Sequence, residues 1–307
     1  MDVSKLNNQS VLVTGSGGFI GNAVCRLLRS CGATIRGVGR SADNKSLGGI
    51  SYSAVDLTDE EATNRLISEI RPDYIIHLAG CSIARRELEW VQKTFVANLR
   101  TTVNVLSAAQ QAGVKKIIIA GSLEQPADNP ADATLTSPYA ASKWAAAGYA
   151  KMFYSVFKLQ VATARIFMVY GPGQKELQKL IPYVCLSTIA GNAPELMSGT
   201  RLVDWVFIDD VASGLVRMLT DGPGDGSLVD IGTGRLVSTG DVAEMICRNA
   251  GSGISPTIGA IPDRAGEQTR KANIEKTKEV LGWSSKVTLE DGLEKTLEWY
   301  RQQAQRK

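Results

Sequence analysis

Apolar residues follow two alternating patterns over the first part of the chain. Runs that are apolar throughout and rich in β-branched residues predict buried strands, whereas segments with apolar residues three or four positions apart predict helices. The predicted strands lie at residues 11–14, 34–38, 50–55, 74–78, 116–120 and 161–167. The predicted helices lie at residues 22–30, 59–70, 87–112 and 139–157. Buried strands that alternate with helices are typical of a parallel sheet with helices on both faces.

This regular alternation ends near residue 168. Beyond it, proline and glycine become frequent and predicted helices outnumber predicted strands. A last helix is predicted at residues 289–306, where apolar side chains recur at helical spacing. We therefore expect an α/β protein with a doubly wound parallel sheet in residues 1–168 and a smaller mixed C-terminal domain in residues 169–307. Segments near residues 204–232 are expected to return to the first domain.

Composition narrows the class of protein. Of the 307 residues, 44% are hydrophobic and 21% are charged, as in an ordinary soluble globular protein. The net charge of +3 is too small to indicate nucleic-acid binding, and no apolar run predicts a membrane helix. Because no signal peptide is recognised, we expect a cytoplasmic protein. Five scattered cysteines and a single histidine argue against disulfides, a metal site or a serine–histidine triad.

A glycine-rich turn follows the first predicted strand. Gly15, Gly18 and Gly21 form the pattern G-x-x-G-x-x-G directly before the first predicted helix. The first N–H groups of a helix lack internal partners and carry a partial positive charge, so they bind phosphate. Glycine also lets a pyrophosphate approach the backbone closely. The turn therefore predicts a dinucleotide site, although glycine-rich loops also recur for structural reasons alone.

Tyr139 and Lys143 lie four residues apart at the start of a predicted helix, on one face. A nearby ammonium group favours the phenolate, so we expect Lys143 to lower the pKa of Tyr139 toward neutrality and make it a usable acid or base. Ser122 follows the fifth predicted strand, where the carboxyl ends of parallel strands meet a ligand. A Tyr-x-x-x-Lys pair is common by chance, but here it follows the glycine turn and the serine in order.

These motifs resemble those of the extended short-chain dehydrogenase/reductase family, in particular its nucleotide-sugar epimerases, dehydratases and ketoreductases. The resemblance covers almost the whole chain, and it includes the T-G-x-x-G-x-x-G turn at residues 14–21 and His77-Leu78-Ala79-Gly80. Residues 165–174 resemble the R-x-F-N-V-Y-G-P-G-Q loop that enters the family's sugar-nucleotide domain. Residues 203–211 and 281–283 are similar as well. The resemblance implies a Rossmann-type first domain and a second domain that binds a nucleotide sugar.

The resemblance implies roles for individual residues. Ser122, Tyr139 and Lys143 would be catalytic, with Lys143 also holding the nicotinamide ribose, and His77 would be structural. The predicted cofactor-binding residues are Gly15, Gly18, Phe19, Ile20, Gly21, Arg40, Ser41, Asp56, Leu57, Leu78, Ala79, Gly80, Asn98, Tyr139 and Lys143. The predicted substrate-binding residues are Ser122, Leu123, Met168, Arg201 and Arg264. The two long helices, 87–112 and 139–157, would form a four-helix interface in a homodimer.

The end of the second predicted strand departs from the pattern for NAD. It carries no acidic residue, although a carboxylate there would bind the ribose 2′-hydroxyl of NAD. Gly39-Arg40-Ser41 offers a guanidinium and a hydroxyl instead, and these suit a 2′-phosphate. We therefore favour NADP(H) as the cofactor. NAD(H) stays open, since an arginine at this position can also stack on adenine.

The residues after Ser122 depart from the pattern of sugar 4,6-dehydratases, which carry an acid followed by a glutamate. Leu123 cannot protonate a leaving hydroxyl, whereas Glu124 is either a catalytic base or a solvated loop carboxylate. Met168 replaces the usual asparagine, and Val203 stands where many members have an arginine near the nucleotide phosphates. The other arginines available for the diphosphate are Arg201, Arg264 and Arg270.

The leading hypothesis is an NADP(H)-dependent reductase of a nucleotide-linked 4-keto-6-deoxy sugar. Tyr139 would donate the proton to the ketone oxygen and Ser122 would orient it. The close alternative is a nucleotide-sugar 4-epimerase that keeps NAD bound, and a 4,6-dehydratase comes third. A non-catalytic NADP-sensing protein with the same fold is an alternative of another class, against which the intact Ser122, Tyr139 and Lys143 argue.

Overall fold

β1 (Ser10–Thr14) is buried over its last four residues, and the chain turns at the glycines directly after it. α1 (Phe19–Ser30) begins inside the glycine motif, with Gly18 as an extended N-cap residue. The expected start at residue 22 is therefore wrong. The Gly18 carbonyl already accepts the N–H of Asn22 at 3.0 Å, so helical hydrogen bonding starts earlier than the amphipathic pattern. The consequence is that the free N–H groups of the helix belong to the turn itself.

The computed structural model describes residues 3–41, 50–126, 134–251, 253–263 and 268–306. The other strands are β2 (Thr34–Gly39), β3 (Ser51–Ala54), β4 (Tyr74–His77), β5 (Lys116–Ser122), β6 (Val161–Ile166), β7 (Met168–Tyr170), β8 (Leu202–Phe207), β9 (Asp225–Ile231) and β10 (Leu236–Ser238). The other helices are α2 (Glu60–Ile70), α3 (Glu89–Thr94), α4 (Thr101–Ala112), α5 (Pro138–Phe157), α6 (Leu180–Ile189), α7 (Ile208–Thr220), α8 (Thr239–Ala250), α9 (Ile274–Leu281) and α10 (Leu289–Gln305).

Seven parallel strands form one sheet in the order β3-β2-β1-β4-β5-β6-β9. This confirms the predicted Rossmann-type sheet. Its central strands are apolar and inaccessible to solvent, as at Leu12, Ile75 and Ile117. The strand order reverses between β1 and β4, and ligands of such sheets bind at the carboxyl ends of the strands beside that reversal. The glycine turn follows β1 at this edge.

The chain divides into two compact units. The first contains residues 1–166, 212–231 and 275–283, and the second contains residues 167–211, 232–274 and 284–307. In the second unit, β8 pairs in parallel with β7 and antiparallel with β10, which gives a small mixed sheet. α6, α8 and α10 pack against one another in the same unit. No helix in the described part of the chain combines the length and the apolar character needed to cross a bilayer.

The long helix predicted at residues 87–112 is helical but interrupted. Between α3 and α4 the segment Phe95–Arg100 adopts a π-helical conformation. Such wider turns are often found at functional sites, and this one contains Asn98. The periodic pattern could not reveal the interruption, because a single wide turn shifts the apolar positions by only one residue.

Candidate active site

The glycine turn has the geometry of a pyrophosphate cradle. Gly15 adopts a left-handed conformation with φ of 68°, and its N–H donates to the Val38 carbonyl at 2.7 Å. A Cβ on Gly15 would lie 2.8 Å from the backbone nitrogen of Ala79, and one on Gly21 would collide with the Gly15 carbonyl. Because α1 opens at Phe19, its first N–H groups have no helical partner. These residues fit the pyrophosphate of a dinucleotide.

Gly21→Ala is expected to weaken dinucleotide binding at least about 10-fold, because the added Cβ can be accommodated only by moving the Gly15 backbone. Titration of the protein with NADPH and NADH, followed by nicotinamide fluorescence, measures the effect. Gly148→Ala is the matched control, since Gly148 lies inside α5 with open space around it. Wild-type affinity in Gly21→Ala would contradict the assignment of the turn as the phosphate site.

The Thr14 side chain connects the turn to the end of β4. Its hydroxyl oxygen accepts the N–H groups of Leu78 and Ala79, each at 3.1 Å. The same oxygen lies 2.7 Å from Nδ1 of His77. Since the oxygen already accepts two N–H groups, its own proton is available for Nδ1. Thr14 therefore holds the predicted cofactor segment at residues 78–79 against the turn.

His77 has a structural role, as expected. It is almost fully buried, and burial, with a smaller contribution from the charge of Lys143, lowers the pKa of His77 to about 3. With Nδ1 accepting from Thr14, the proton lies on Nε2, which is 3.2 Å from the Thr102 hydroxyl. Thr102 in turn donates to the Asn98 carbonyl at 2.6 Å. A neutral imidazole thus links β1, β4 and the helical segment, and it has no free nitrogen for catalysis.

The residues predicted to face the adenosine lie after β2 and β3. Arg40 and Ser41 are exposed, and Asp56 is exposed two residues beyond β3. The Asp56 carboxylate accepts the Thr58 N–H at 3.0 Å. This hydrogen bond is the main cause that lowers the pKa of Asp56, and the charge of Arg40 adds to it. Arg40 and Asp56 therefore share one electrostatic environment beyond the edge strands.

Asn104 holds the neighbouring segment, and the sequence did not single it out. Its buried side-chain amide donates to the Leu57 carbonyl at 3.0 Å and to the Thr58 carbonyl at 3.2 Å. An asparagine inside an apolar helix face was the available signal, because buried amides need partners.

Asn98 connects the loop after β4 to the first turns of α5. Its side-chain oxygen accepts the Cys81 N–H at 2.7 Å, and its amide donates to the Ser142 hydroxyl at 2.9 Å. Ser142 donates to the Tyr139 carbonyl at 2.8 Å. A Cβ on Gly80 would lie 2.7 Å from the Asn98 oxygen and 3.7 Å from Nζ of Lys143. The predicted cofactor residues 80 and 98 are thus adjacent to each other, and position 80 lies close to the Lys143 ammonium group.

The structure brings Ser122, Tyr139 and Lys143 together. Ser122 ends β5, and α5 is capped by the Ser137 hydroxyl with Pro138 as its first residue, so the helix starts just before Tyr139. The Tyr139 hydroxyl hydrogen-bonds to Ser122. Lys143 lies one turn further on, and its ammonium group is held by the backbone of β5. The three side chains meet at the carboxyl edge of the sheet.

The protonation of this group differs from the expectation. Burial raises the pKa of Tyr139 to about 12, outweighing its hydrogen bond to Ser122. Burial also lowers the pKa of Lys143 to about 8, and the ammonium donates to the Ala120 carbonyl at 2.8 Å. The expectation that Lys143 draws the pKa of Tyr139 toward neutrality is wrong for this structure, because removal from water dominates both groups. At neutral pH, Tyr139 is a phenol and Lys143 is mostly charged.

Gln125 is a residue of the site that the sequence did not reveal. It is buried, and its side-chain oxygen accepts the Ser122 N–H at 2.7 Å. Its amide donates to the Lys143 carbonyl at 3.1 Å. Gly121 makes room for it, because a Cβ there would collide with the Gln125 oxygen. One amide therefore fixes the end of β5 relative to the first turns of α5.

Glu124 and Leu123 occupy the turn after Ser122. The Glu124 carboxylate accepts the Ser137 hydroxyl at 3.0 Å, and its N–H donates to the Ser122 hydroxyl oxygen at 3.2 Å. Glu124 is therefore tied to the cap of α5 and is not a freely solvated loop carboxylate. Leu123 is half-buried and offers no acid at its position.

The predicted substrate residues of the second unit are more scattered. Met168 begins β7 and pairs with Trp205, and Arg201 is half-buried directly before β8. Arg270 hydrogen-bonds to the side-chain oxygen of Gln268. Arg264 lies outside the described residues. The diphosphate assignment of these arginines stays a prediction.

Asp204 organises the second unit, although no sequence pattern singled it out. It is 1% exposed. One carboxylate oxygen accepts the N–H and the hydroxyl of Thr233 at 2.8 and 2.7 Å. The other accepts the N–H groups of Gly234 and Ala272 at 2.9 and 3.0 Å. A single carboxylate thus joins β8 to the two segments that follow.

The first unit therefore defines a dinucleotide-binding α/β protein with a serine, a tyrosine and a lysine at the carboxyl edge of its sheet. This is the arrangement of a short-chain dehydrogenase/reductase. Within the described ranges, no three histidine, cysteine or acidic side chains are grouped to hold a metal ion.

The chain belongs to the NAD dependent epimerase/dehydratase family, whose sequence profile matches residues 11–232. This confirms the resemblance to extended short-chain dehydrogenase/reductases and the expectation of an NAD(P)-dependent enzyme.

Relatives named as nucleotide-sugar enzymes match over nearly the whole chain. The sequence is 30% identical to UDP-glucose 4-epimerase of Mycolicibacterium smegmatis, with 96% of this chain and 99% of the relative covered. It is 29% identical to a probable dTDP-glucose 4,6-dehydratase of Sinorhizobium fredii, with coverages of 94% and 92%. The structure is similar to the crystal structure of the Bordetella bronchiseptica enzyme WbmF in complex with NAD⁺ and UDP, with a TM-score of 0.84, 25% identity and coverages of 98% and 95%.

Proposed function

We propose that the protein transfers a hydride between NADP(H) and carbon 4 of a nucleotide-activated sugar, as the reductase of an NDP-4-keto-6-deoxyhexose. The observation that carries this proposal is the arrangement around Tyr139. Its hydroxyl hydrogen-bonds to Ser122 at the end of β5, and Lys143 lies one helical turn further along α5. A phenol held in this way can donate a proton to a carbonyl oxygen.

Each side chain then has one task. Gly15, Gly18 and Gly21 would hold the dinucleotide, which would supply the hydride when bound. Ser122 orients the ketone oxygen, and Tyr139 gives its proton to that oxygen as negative charge develops there. The ammonium group of Lys143 stabilises the phenolate that Tyr139 becomes, and the proton is then replaced from water. The ketone gains a hydride and a proton and becomes an alcohol, while the dinucleotide is oxidised.

The pH dependence of the reaction should follow Lys143. Because burial lowers the pKa of Lys143 to about 8, its positive charge is present below pH 8 and is lost as the pH rises through that value. We expect kcat/KM for ketone reduction to be level from pH 6 to 7.5 and to fall about 10-fold per unit above pH 8.

Lys143→Arg is the control for this profile. Its guanidinium stays charged up to a pH of about 12, so the variant should be slower but should not lose further activity near pH 8. A wild-type profile that stays level to pH 9.5 would contradict the role of Lys143.

Leu123 argues against a dehydratase. Elimination of water from a sugar needs a proton for the departing hydroxyl, and a leucine cannot provide it. Glu124 accepts a hydrogen bond from Ser137, so its carboxylate is committed to the helix cap. The dTDP-glucose dehydratase relatives support the substrate class, a nucleotide sugar, more than the reaction.

NADP(H) is supported by the residues after β2. Gly39 leaves the strand end without a carboxylate, and Arg40 is exposed beside it. A guanidinium is well suited to a 2′-phosphate, which a carboxylate would repel. The neighbour crystallised with NAD⁺ keeps NAD(H) as the alternative cofactor.

A 4-epimerase is the second candidate, and the UDP-glucose 4-epimerase relative favours it. An epimerase regenerates its dinucleotide in every turnover, whereas a reductase consumes added NADPH in a 1:1 ratio with product. Mass spectrometry of the small molecules released on denaturation separates the two. Tightly held NAD⁺ supports the epimerase, and an easily exchanged NADP(H) supports the reductase. UDP and dTDP sugars are the first substrates to test, given the relatives' names.

We also propose a homodimer through α3 and α5. Both helices carry exposed apolar side chains: Leu88, the N-cap residue of α3, is 86% exposed, and Val156 in α5 is 62% exposed. An interface through these helices would remove such side chains from water. Sedimentation equilibrium should give twice the chain mass, and Leu88→Glu should shift the protein toward the monomer. A wild-type monomer at micromolar concentration would contradict this arrangement.

A further inference from the structure

On one face of β2, two glycines leave a space that the Tyr52 ring occupies. Gly37 and Gly39 lie two residues apart, so their missing side chains would point to the same face of the strand. Tyr52 of β3 is in register with Gly37. A Cβ on Gly37 would lie 3.3 Å from the Tyr52 ring, and one on Gly39 would lie 2.5 Å from the Tyr52 hydroxyl. The ring therefore crosses the glycines and places its hydroxyl where a side chain at position 39 would begin.

The Tyr52 hydroxyl is buried and has no hydrogen-bond partner among the residues that the structure describes. The Ser16 hydroxyl, in the glycine turn, is also buried and has no hydrogen-bond partner among the described residues. It lies 2.7 Å from where a Cβ of Gly37 would be. Proteins pair nearly all buried hydroxyl groups, and an exception calls for a partner supplied from elsewhere. Both hydroxyls lie beside Gly37, and together they indicate a polar ligand at this edge.

The position of these hydroxyls in the sheet indicates which part of the ligand they would contact. Gly39 ends β2 at the carboxyl edge of the sheet, beside the strand that leads into the glycine turn. A dinucleotide on that turn places its adenosine ribose there, where a carboxylate selects the 2′-hydroxyl of NAD. Tyr52 places an uncharged hydrogen-bond donor where that carboxylate would lie. The positively charged Arg40 comes directly after Gly39 in the chain.

We propose that Tyr52 and Gly39 together determine cofactor specificity: the Tyr52 hydroxyl takes the place of a carboxylate and donates its hydrogen bond to the 2′-phosphate of NADP(H). The inference rests on the proposed function, since it needs a dinucleotide on the glycine turn. Gly39 is required because any side chain there would displace the hydroxyl.

Tyr52→Phe tests the hydrogen bond. It removes only a hydroxyl, so the variant should fold and melt no lower than the wild type. We expect its affinity for NADPH, measured by calorimetric titration, to fall about 10–100-fold, the worth of one hydrogen bond to a charged group. The affinity for NADH should change less than about 3-fold. Tyr74→Phe is the control, because Tyr74 begins β4 at the amino edge of the sheet.

Two results would overturn the assignment. If Tyr52→Phe binds NADPH with unchanged affinity, the proposed hydrogen bond to the 2′-phosphate does not exist. If its affinities for NADPH and NADH fall equally, Tyr52 contacts a group that both dinucleotides share. If the wild type binds neither dinucleotide, the proposed function fails and this inference fails with it. Normal binding of both by the wild type, together with either of the first two results, would overturn the inference alone.

A double substitution tests the coupling of the two positions. Gly39→Asp alone should lose NADPH affinity without gaining NADH affinity, because the carboxylate competes with Tyr52 for one space. Gly39→Asp combined with Tyr52→Ala should bind NADH at least about 10-fold more tightly than Gly39→Asp alone. If NADH affinity is the same in Gly39→Asp and in the double variant, the two positions are independent and the proposal is wrong.

Discussion

Tyr139→Phe should lower kcat for ketone reduction by about 10²–10⁴-fold, the usual contribution of a positioned general acid. Phenylalanine keeps the ring at the start of α5 and removes only the proton that the ketone oxygen receives. Because the ring remains, NADPH affinity and KM should change little. Steady-state oxidation of NADPH with the nucleotide ketosugar measures kcat and KM, and calorimetry measures the affinity.

Tyr154→Phe is the matched control for this variant. Tyr154 lies in the same helix, with Nζ of Lys158 5.8 Å from its ring centre. Its loss should leave kcat within about 2-fold of wild type. If Tyr139→Phe kept wild-type kcat, the proton donor would have to be another group, and the proposed mechanism would fail.

Asp204→Ala should destabilise the protein by at least about 3 kcal/mol, since it leaves one buried and three partly buried donors without an acceptor. For a chain of this size that loss corresponds to a fall of roughly 6–12 °C in Tm. Differential scanning calorimetry measures it. Arg270, one of the arginines predicted for the diphosphate, lies two residues before Ala272, so we expect nucleotide-sugar binding to weaken together with the stability.

Asp241→Ala separates this effect from the mere loss of a carboxylate. Asp241 is exposed in the first turn of α8, where a negative charge adds only a small favourable interaction with the helix dipole. Its removal should cost less than about 1 kcal/mol. A wild-type Tm in Asp204→Ala would show that the four hydrogen bonds contribute nothing net to stability.

The parallel sheet was predictable because its strands are buried on both faces and are therefore apolar throughout. The order of motifs also placed the glycine turn, Ser122, Tyr139 and Lys143 at one edge, since the carboxyl ends of parallel strands share that edge. The short strands β7 and β10 were not predictable, because three residues carry no period. The start of α1 was misplaced because its first turn consists of turn residues and not of an amphipathic stripe.

The supporting polar residues were harder to predict. Asp204, Gln125 and Asn104 act through buried hydrogen bonds to backbone groups that are distant in sequence, and a linear pattern contains no record of such partners. Asp209 and Asp210 illustrate the point. The structure shows Asp210 buried, with its carboxylate accepting the N–H groups of Lys286 and Val287 at 3.0 and 2.9 Å. Its neighbour Asp209 lies in the first turn of α7.

The pKa of Tyr139 shows a different limit. The sequence supplied the neighbouring charge of Lys143, and a neighbouring charge alone would lower that pKa. The sequence does not show how deeply Tyr139 is buried, and burial raises the pKa of Tyr139 to about 12. Tyr139 is therefore a phenol at neutral pH, which is the form that donates a proton in reduction.

Transfer of deuterium tests the central claim most directly. The protein is incubated with a UDP- or dTDP-4-keto-6-deoxy sugar and NADPH that carries deuterium on both positions of nicotinamide carbon 4. We expect one deuterium at carbon 4 of the sugar alcohol for each NADP⁺ formed, and almost none formed by Tyr139→Phe. Conversion of a nucleotide sugar to its 4-epimer without uptake of deuterium, and with no NADPH consumed, would contradict the reductase.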